Sequence, residues 1–284
     1  MALEGRGSHY TFTRHLMEES LHRLFTDGWP ARLCERLGLL SPLRVRRHDL
    51  AIAGWPAGAP PLTVAYASDF HAGPTTTKAQ IATACEALRA ARPDVLLLGG
   101  DFVFLRSAYI DDLARALGEI PAPLGRFAVL GNHDLWADDA YITQRLESAG
   151  VQVLVNRAAP LPAPYAGVAV CGLDEPWSGS PDAAQALAGA DGVRLVLMHA
   201  PSGLLLLRGQ RFELALCGHT HGGHIALPGG VPVVIPGLLS RRFPHGAHAL
   251  ANGGTVIVSR GVGGAEVPLR LFADPDILVC RLHG

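Results

Sequence analysis

The sequence predicts an α/β fold in which strands and helices alternate along most of the chain. Five short apolar runs have the length and composition of buried strands. They cover residues 62–68, 94–98, 126–130, 194–198 and 214–217. Each run leads directly into polar residues, and open α/β sheets place their functional sites just beyond the carboxyl ends of their strands. We therefore expect one site, built from several loops, at one edge of the sheet structure.

The remaining elements complete this alternation. Helices are predicted at residues 77–91, 109–118, 137–149 and 182–189. A polar-faced strand is expected at residues 43–53, and closing strands are expected at 255–259 and 276–282. Residues 228–254 are rich in Gly and Pro, which indicates loops with short strands. For a chain of 284 residues we expect one large domain over residues 43–284, with two domains as the alternative.

We expect residues 1–42 to form an N-terminal arm with amphipathic helical character. Apolar residues recur at helical spacing over residues 12–26, Asp27-Gly28 breaks the pattern, and Pro30 suits the first turn of a second helix that ends near Gly38. Arginines interrupt the apolar surface at Arg14, Arg23, Arg32 and Arg36. Two interpretations of residues 10–40 stay open. They are an interfacial helix pair on a membrane, or packing of the same face on the core or on another chain.

Composition and charge indicate which partners and which compartment are expected for the chain. The formal net charge of −1 provides no basic surface, so a nucleic-acid partner is not favoured. Five scattered cysteines show no disulfide pattern, which fits a reducing compartment. The start of the chain does not have the pattern of a signal peptide, and no apolar run is long enough to span a membrane. We expect a cytoplasmic protein, with peripheral attachment to the inner face of the membrane left open.

The polar residues that follow the five apolar runs are the types that bind metals. They are Asp69-Phe70-His71, Gly99-Gly100-Asp101, Gly131-Asn132-His133-Asp134, His199 and Gly218-His219-Thr220-His221. Each of them alone has an ordinary structural explanation, such as a turn or a hydrogen-bonded core histidine. Their joint occurrence at five strand ends favours a metal site. The mixed set of carboxylates, imidazoles and an amide suits Mn²⁺, Fe or Zn²⁺ better than Mg²⁺ or Ca²⁺.

This ordered set resembles the calcineurin-like metallophosphoesterase family, and the resemblance extends over roughly residues 43–284. The stretches 172–177, 258–263 and 268–270 resemble a bacterial branch whose members are often membrane-associated phosphodiesterases. The resemblance implies a four-layer metallophosphoesterase sandwich, in which two packed mixed β-sheets are flanked by helices. It also implies a metallophosphoesterase domain at residues 43–284 behind the N-terminal helical arm.

The resemblance further implies a centre of two divalent transition metal ions, with Mn²⁺ favoured and Fe or Zn²⁺ as alternatives. The implied ligands are Asp69, His71 and His221 for the first metal, Asn132, His199 and His219 for the second, and Asp101 as a bridge between them. His133 is expected to stabilise the transition state and to protonate the leaving oxygen. Asp134 is expected to orient His133, and capping of the following helix is a compatible alternative.

We therefore predict a dinuclear phosphoesterase that hydrolyses a phosphodiester or pyrophosphate bond through a metal-bridging hydroxide. The substrate is expected to be a phosphodiester or a pyrophosphate, and whether it is linked to a lipid stays open. One alternative is a lipid-linked hydrolase of the UDP-2,3-diacylglucosamine pyrophosphatase type. One type of that enzyme carries Arg at the position of His133, which argues against that type. Another alternative is a catalytically silent scaffold of the same fold, but such a scaffold would normally have lost a ligand or His133.

Four further residues near the motifs have two interpretations each. His224 follows Gly222-Gly223 and is expected either to contact the site or substrate, or to be a solvated loop residue. Arg241, Arg242 and Arg260 are candidates for phosphate contacts, although arginines in loops are more often simply solvated.

Overall fold

The computed structural model describes residues 4–235, 238–251 and 253–284. Within them, the α-helices are α1 (Phe12–Leu24), α2 (Trp29–Arg36), α3 (Lys78–Ala90), α4 (Ile110–Gly118), α5 (Asn132–Trp136), α6 (Asp139–Ser148), α7 (Ala183–Ala186) and α8 (Leu238–Arg242). The strands are β1 (Arg44–Ala51), β2 (Leu62–Ala67), β3 (Val95–Leu98), β4 (Arg126–Ala128), β5 (Gln152–Val153), β6 (Arg157–Pro160), β7 (Val168–Gly172), β8 (Val193–Leu197), β9 (Leu214–Cys217), β10 (Ala226–Leu227), β11 (Val231–Pro232), β12 (Gly246–Ala249), β13 (Thr255–Val258) and β14 (Asp276–His283).

Two mixed sheets of six strands each organise the described residues. The first has the order β1-β14-β2-β3-β4-β5, and the second has the order β12-β13-β9-β8-β7-β6. In the first sheet, β2, β3, β4 and β5 run parallel, and β14 is inserted parallel to β1 and antiparallel to β2. In the second sheet, β7, β8, β9 and β13 run parallel between two antiparallel edge strands. The carboxyl ends of the parallel strands carry the predicted site residues.

The two sheets pack face to face because alternate residues of each strand point to opposite faces. In β2, Val64 and Tyr66 belong to the apolar cluster between the sheets, whereas Ala65 and Ala67 face the helical layer. That layer contributes Leu88 from α3 and other buried side chains from α4 and α6. The outer face of the second sheet is covered by α7 and the segments around Leu207 and Phe212. The prediction of two packed mixed sheets flanked by helices is confirmed.

Helix α1 packs on the rest of the protein through polar side chains rather than through its apolar ones. The buried residue of α1 is Glu18, whereas Phe12 is 71% exposed and Leu24 is 62% exposed. In α2, Pro30 and Ala31 are buried, and Leu37 is 62% exposed. The arm therefore presents apolar side chains to solvent. None of the helices in the described part of the chain combines the length and the apolar character needed to cross a bilayer.

Candidate metal centre

The predicted site residues lie beyond the carboxyl ends of β2, β3, β4, β8 and β9, and they converge at one edge of the two sheets. Asp69 and His71 follow β2, and Asp101 follows β3. Asn132 and His133 form the first turn of α5, which is separated from β4 by three residues. His199 follows β8, and the pair His219 and His221 follows β9. The second sheet thus supplies histidines, whereas the first sheet supplies both carboxylates.

Asp69, His71 and His221 form the first set of donors. One ligand atom from each lies within 4.8 Å of the others. The Nε2 atoms of His71 and His221 are 3.1 Å apart, and Nε2 of His221 is 3.6 Å from Oδ1 of Asp69. The carboxylate of Asp69 also accepts hydrogen bonds from the Ser68 hydroxyl and the His219 backbone N–H, which hold its orientation.

Asn132, His199 and His219 form the second set. Nε2 of His199 is 3.2 Å from Oδ1 of Asn132 and 3.2 Å from Nδ1 of His219. Nδ1 of His199 lies 2.8 Å from the carbonyl oxygen of Gly99, and this contact leaves Nε2 facing the site. All three side chains are therefore aimed at one point.

Asp101 lies between the two sets. Its Oδ2 is 3.5 Å from Nε2 of His71 and 3.3 Å from Nε2 of His199. Its Oδ1 accepts a hydrogen bond from the backbone N–H of His133 at 2.9 Å. A Cβ atom at Gly131 would overlap the Asp101 carboxylate, which explains the need for glycine before Asn132.

The backbone at this edge is strained. Asp69, His71, Asp101, His219 and His221 all have φ between 44° and 70°. Residues other than glycine rarely adopt this left-handed region, and such outliers cluster at functional sites. The strain turns five of the seven candidate ligands away from their strands and towards a common centre.

The charges of these groups suit a bound cation. Burial lowers the pKa of His71 and His221 below the usual range, and it lowers the pKa of His219 to about 4, so these rings are neutral and keep free lone pairs. Burial opposes ionisation of Asp101, but the neighbouring His199, His133 and His71 together outweigh it and hold the pKa of this carboxyl well below its usual range. Burial also opposes charging of His199, yet the charge of Asp101 raises the pKa of this imidazole to about 10. Asp101 and His199 thus stabilise each other's charge.

His133 lies at the edge of both sets. Its ring is 4.9 Å from the ring of His71 and 5.2 Å from the ring of Trp136, measured between centroids. Burial lowers its pKa well below the usual range, so the imidazole is neutral. A cavity of about 430 Å³ opens beside it. A group bound in that cavity would contact His133, Trp136 and residues of the N-terminal arm such as Tyr10.

Comparison with known proteins identifies the family. The family model of calcineurin-like phosphoesterases matches residues 62–223, which is more than half of the chain. The chain is a calcineurin-like phosphoesterase. Such enzymes hydrolyse phosphoesters and depend on metal, and the His and Asp clusters of this chain are able to bind it.

Relatives of this phosphoesterase match it over most of their length. An uncharacterized metallophosphoesterase of Aquifex aeolicus is 28% identical over 246 residues, which cover 85% of this chain and 92% of the relative. Phosphodiesterase YaeI of Escherichia coli is 31% identical over 246 residues, with coverage of 83% and 87%. An uncharacterized metallophosphoesterase of Bacillus subtilis, YkuE, is 27% identical over 247 residues, with coverage of 84% and 85%.

Asp134 has a different position in the phosphoesterase from the one expected. Its Oδ1 accepts hydrogen bonds from the backbone N–H groups of Phe102 and Val103, and its Oδ2 accepts one from Gly131. The carboxylate therefore faces the backbone and does not orient the ring of His133. The hydrogen bond from Gly131, the residue before α5, agrees with the alternative in which Asp134 caps a helix. Asp134 ties the loop of Asp101 to the start of α5, and burial raises its pKa to about 7.

Two arginines of the site were not predicted. Arg270 is buried, and its Nη2 lies 2.9 Å from Nδ1 of His221. Arg14, from α1 of the arm, places its Nη2 3.4 Å from Nε2 of His133. Both are distant from their partners in sequence, so no local spacing indicated these contacts. The only signals were the 268–270 stretch, noted for its resemblance, and an arginine within an otherwise apolar helical surface.

The remaining candidates divide into those near the site and those away from it. The ring of His224 is 5.5 Å from the ring of His221, and its Nε2 donates to the carbonyl of Val267. Arg260 packs against Gly222, next to His221. Arg241 donates instead to the carbonyl of Ile235, and Arg242 lies over the ring of Phe243.

Proposed function

We propose that this phosphoesterase cleaves a phosphodiester or pyrophosphate bond with two divalent transition metal ions, Mn²⁺ being the first choice. The observation that carries the proposal is the position of Asp101, within 3.5 Å of a histidine from each donor set. One carboxylate between two such sets suits a pair of ions a few ångströms apart. The phosphodiesterase YaeI of E. coli, 31% identical, supports a diester substrate.

The donor set supports both ions. Asp69, His71 and His221 would hold one of them, Asn132, His199 and His219 would hold the other, and Asp101 would contact both. When bound, the ions would stabilise negative charge on the phosphoryl oxygens and lower the pKa of a water molecule. The left-handed backbone of five of these residues favours the same assignment, because strain is retained where it serves a function.

His133 is proposed to donate a hydrogen bond and then a proton to the leaving oxygen. Its imidazole is neutral in the free protein because it is buried. An anionic phosphate in the adjacent cavity would raise its pKa, since a nearby negative charge favours the protonated ring. Asp134 would act through the backbone, because it fixes the Asp101 loop against the turn that carries His133.

A panel of substrates tests this function. The protein, loaded with Mn²⁺, is offered bis-p-nitrophenyl phosphate, p-nitrophenyl phosphate, cyclic nucleotides and nucleotide-sugar lipids. We expect kcat/KM to be higher for diesters or pyrophosphates than for the monoester. His133→Ala serves as the matched inactive control. A clear preference for p-nitrophenyl phosphate over its bis ester would contradict the proposed substrate class.

We further propose that the apolar surface of the arm contacts the inner face of the membrane and gives access to a lipid-linked substrate. Phe12, Leu16, Leu33 and Leu37 are exposed on α1 and at or near α2. Exposed arginines at positions 23, 32 and 36 accompany them. Apolar side chains beside cationic ones are the features of an interfacial helix on anionic lipid. The five free cysteines fit the reducing side of that membrane.

Liposome flotation tests the membrane contact. The full chain is expected to float with vesicles that contain anionic lipid, and a variant with Phe12→Gln, Leu16→Gln, Leu33→Gln and Leu37→Gln is expected to stay in the bottom fraction. A matched control replaces Leu205 and Leu206, which are exposed outside the arm. Equal flotation of the arm variant and the unaltered full chain would show that these apolar side chains do not bind the membrane. Self-association of the full chain without flotation would assign the surface to a second copy.

A further inference from the structure

A small sheet beside the candidate metal centre carries an apolar face that is exposed to solvent. β10 and β11 pair as an antiparallel hairpin with Leu227 opposite Val231, and the backbone N–H of Val233 donates to the carbonyl of Ile225. On its other side, Ile225 forms a parallel bridge with Leu271. Residues two apart along a strand, and residues paired across strands, lie on the same face of a sheet. We call this surface the hairpin face, and it consists of Ile225, Leu227, Val231, Val233 and Leu271, each between 45% and 57% exposed.

Contacts on the opposite side of this small sheet fix its orientation. Ala226 and Arg270, which alternate with the exposed residues, are only 2% and 5% exposed. The guanidinium of Arg270 donates to the carbonyl oxygens of Gly263 and Arg260, and its Nη2 lies 2.9 Å from Nδ1 of His221. Turning the sheet over would break these contacts, so the fold keeps an arginine inside and branched apolar side chains outside. A contiguous exposed apolar patch is typical of a binding surface.

The charge around the hairpin face is positive. The sequence has no Asp or Glu at residues 214–265, but it has arginines at positions 241, 242 and 260. Arg241 donates to the carbonyl of Ile235, shortly after β11. Arg260 lies beside Gly230 in the turn between β10 and β11. An apolar face bordered by arginines suits an anionic lipid surface, because the guanidinium groups can stay among the head groups while the apolar side chains enter the acyl layer.

Two observations favour lipid over a second copy of the chain as the occupant of this face. The acidic residues that follow the basic interval are engaged by other groups, in the pairs Glu266–Arg14, Asp274–Arg44 and Asp276–Ser259. In a two-fold dimer the hairpin face would meet its own copy. The arginines at its border would then face arginines, with no free carboxylate from this interval to pair with them.

We propose that the hairpin face inserts into an anionic lipid bilayer and holds the candidate metal centre at the head-group layer. The proposal extends the membrane contact proposed for the arm, and it rests on different residues. Only four residues separate His221 from β10, and a Cβ atom at Gly223 would overlap Pro232 of β11. The hairpin is therefore joined directly to the loop of the candidate ligands. A phosphoester in the head-group layer would lie close to those ligands.

Flotation of the full chain with phosphatidylcholine vesicles, prepared with and without phosphatidylglycerol, tests this proposal. The unaltered protein is expected to float with the anionic vesicles. Val231→Thr and Val155→Thr make the same change at two exposed valines, and Val155 lies beside β5, at the far edge of the first sheet. Threonine suits a strand, so the hairpin should persist. Only Val231→Thr should weaken flotation, and the double variant Leu227→Thr and Val231→Thr should weaken it about tenfold or more, because less apolar area then leaves water.

Thermal unfolding of each variant separates lipid binding from folding. If the double variant unfolds, the comparison of Val231→Thr with Val155→Thr decides, and equal flotation of these two overturns the proposal. Absence of the unaltered protein from the floating fraction also overturns it. A lipid-free dimer that Val231→Thr dissociates, without any flotation, would assign the face to a second copy and overturn it too. Since flotation does not require turnover, absence of ester hydrolysis by the unaltered protein would contradict the proposed function and leave the result for the hairpin face intact.

Discussion

Arg6 and Asp174 face each other through two hydrogen bonds of 2.7 Å, one to each carboxylate oxygen. The pair joins the N-terminal arm to the loop after β7, and Arg6 also binds Asp139 at 2.8 Å. Asp174 is almost fully buried, whereas the side chain of Arg6 is 37% exposed. The arm is thereby attached to the stretch 172–177, which the sequence alone did not explain.

Arg6→Gln is expected to loosen the arm. It removes the partner of a buried carboxylate, which costs about 1 kcal/mol because solvent screens the exposed guanidinium. Limited proteolysis of residues 4–40 should become faster. The control is Arg44→Gln, which breaks a surface pair with Asp274 and should leave proteolysis of the arm unchanged. Unaltered arm cleavage in Arg6→Gln would contradict the role of this pair.

The same pair predicts a pH dependence of arm docking. Burial opposes ionisation of Asp174, but the hydrogen bonds and charge of Arg6, together with backbone hydrogen bonds from Ser180 and Glu175, outweigh it and lower the pKa of this carboxyl below its usual value. A carboxyl with a lowered folded-state pKa stabilises the folded state fully above its unfolded pKa of about 3.9, and this contribution is lost as pH falls through the folded value. Arm proteolysis should therefore be constant near neutral pH and increase only in strong acid. An increase between pH 6 and 8 would exclude Asp174 as the cause.

Metal removal is expected to abolish hydrolysis. The purified protein should contain about two transition metal ions per chain, as expected for a two-metal site. Metal should also raise the unfolding temperature, because it binds the folded state alone. Elemental analysis and activity after chelation measure both effects. Full activity of metal-free protein in EDTA, or a single ion per chain at saturation, would contradict the two-metal proposal.

His133 and Asp101 should respond differently to truncation. His133→Ala is expected to keep its metal and to lose roughly 10²–10⁴-fold in rate, the usual contribution of an acid or base. Asp101→Ala is expected to lose metal, because its carboxylate lies between both donor sets. Metal content and kcat, measured on the same preparations, distinguish the two. Loss of metal from the His133 variant, with retention in the Asp101 variant, would reverse the assignments.

Arg270→Gln is expected to weaken metal binding about 10–100-fold, the usual effect of removing a residue that orients a ligand. The guanidinium contacts Nδ1 of His221 and accounts for the position of that ring. Arg242→Gln, on an arginine that lies over Phe243, is the control. Equal metal affinities of the two variants would show that His221 keeps its orientation without Arg270.

Prediction from the sequence succeeded for the strands that precede the candidate site residues. The runs before Asp69, Asp101 and His199 became β2, β3 and β8, and parallel strands bring their carboxyl ends together by geometry alone. The directions in which side chains point were harder to predict from the sequence. Asp134 directly follows His133 in the sequence, so we expected it to contact that ring. In the structure, the Asp134 carboxylate accepts a hydrogen bond from the backbone of Phe102 instead.

The orientation of α1 was beyond sequence reasoning for a different reason. An amphipathic pattern allows an apolar face against the core, but α1 meets His133 and Glu266 through Arg14. Arg14 is held by Glu18, and Phe12 and Leu24 are left outside. Only the position of the partner could show which face would be buried.

The position of β14 has a consequence for the order of events during synthesis. This strand comes after every other strand in the sequence, yet it lies between β1 and β2 and forms ladders with both. While the ribosome is still adding residues, β1 has no neighbour in the first sheet, and β2 lacks the partner on one side. The sheet that carries Asp69 and Asp101 can close only when residues 276–283 emerge, so the nascent chain has no complete first sheet until β14 has been synthesised.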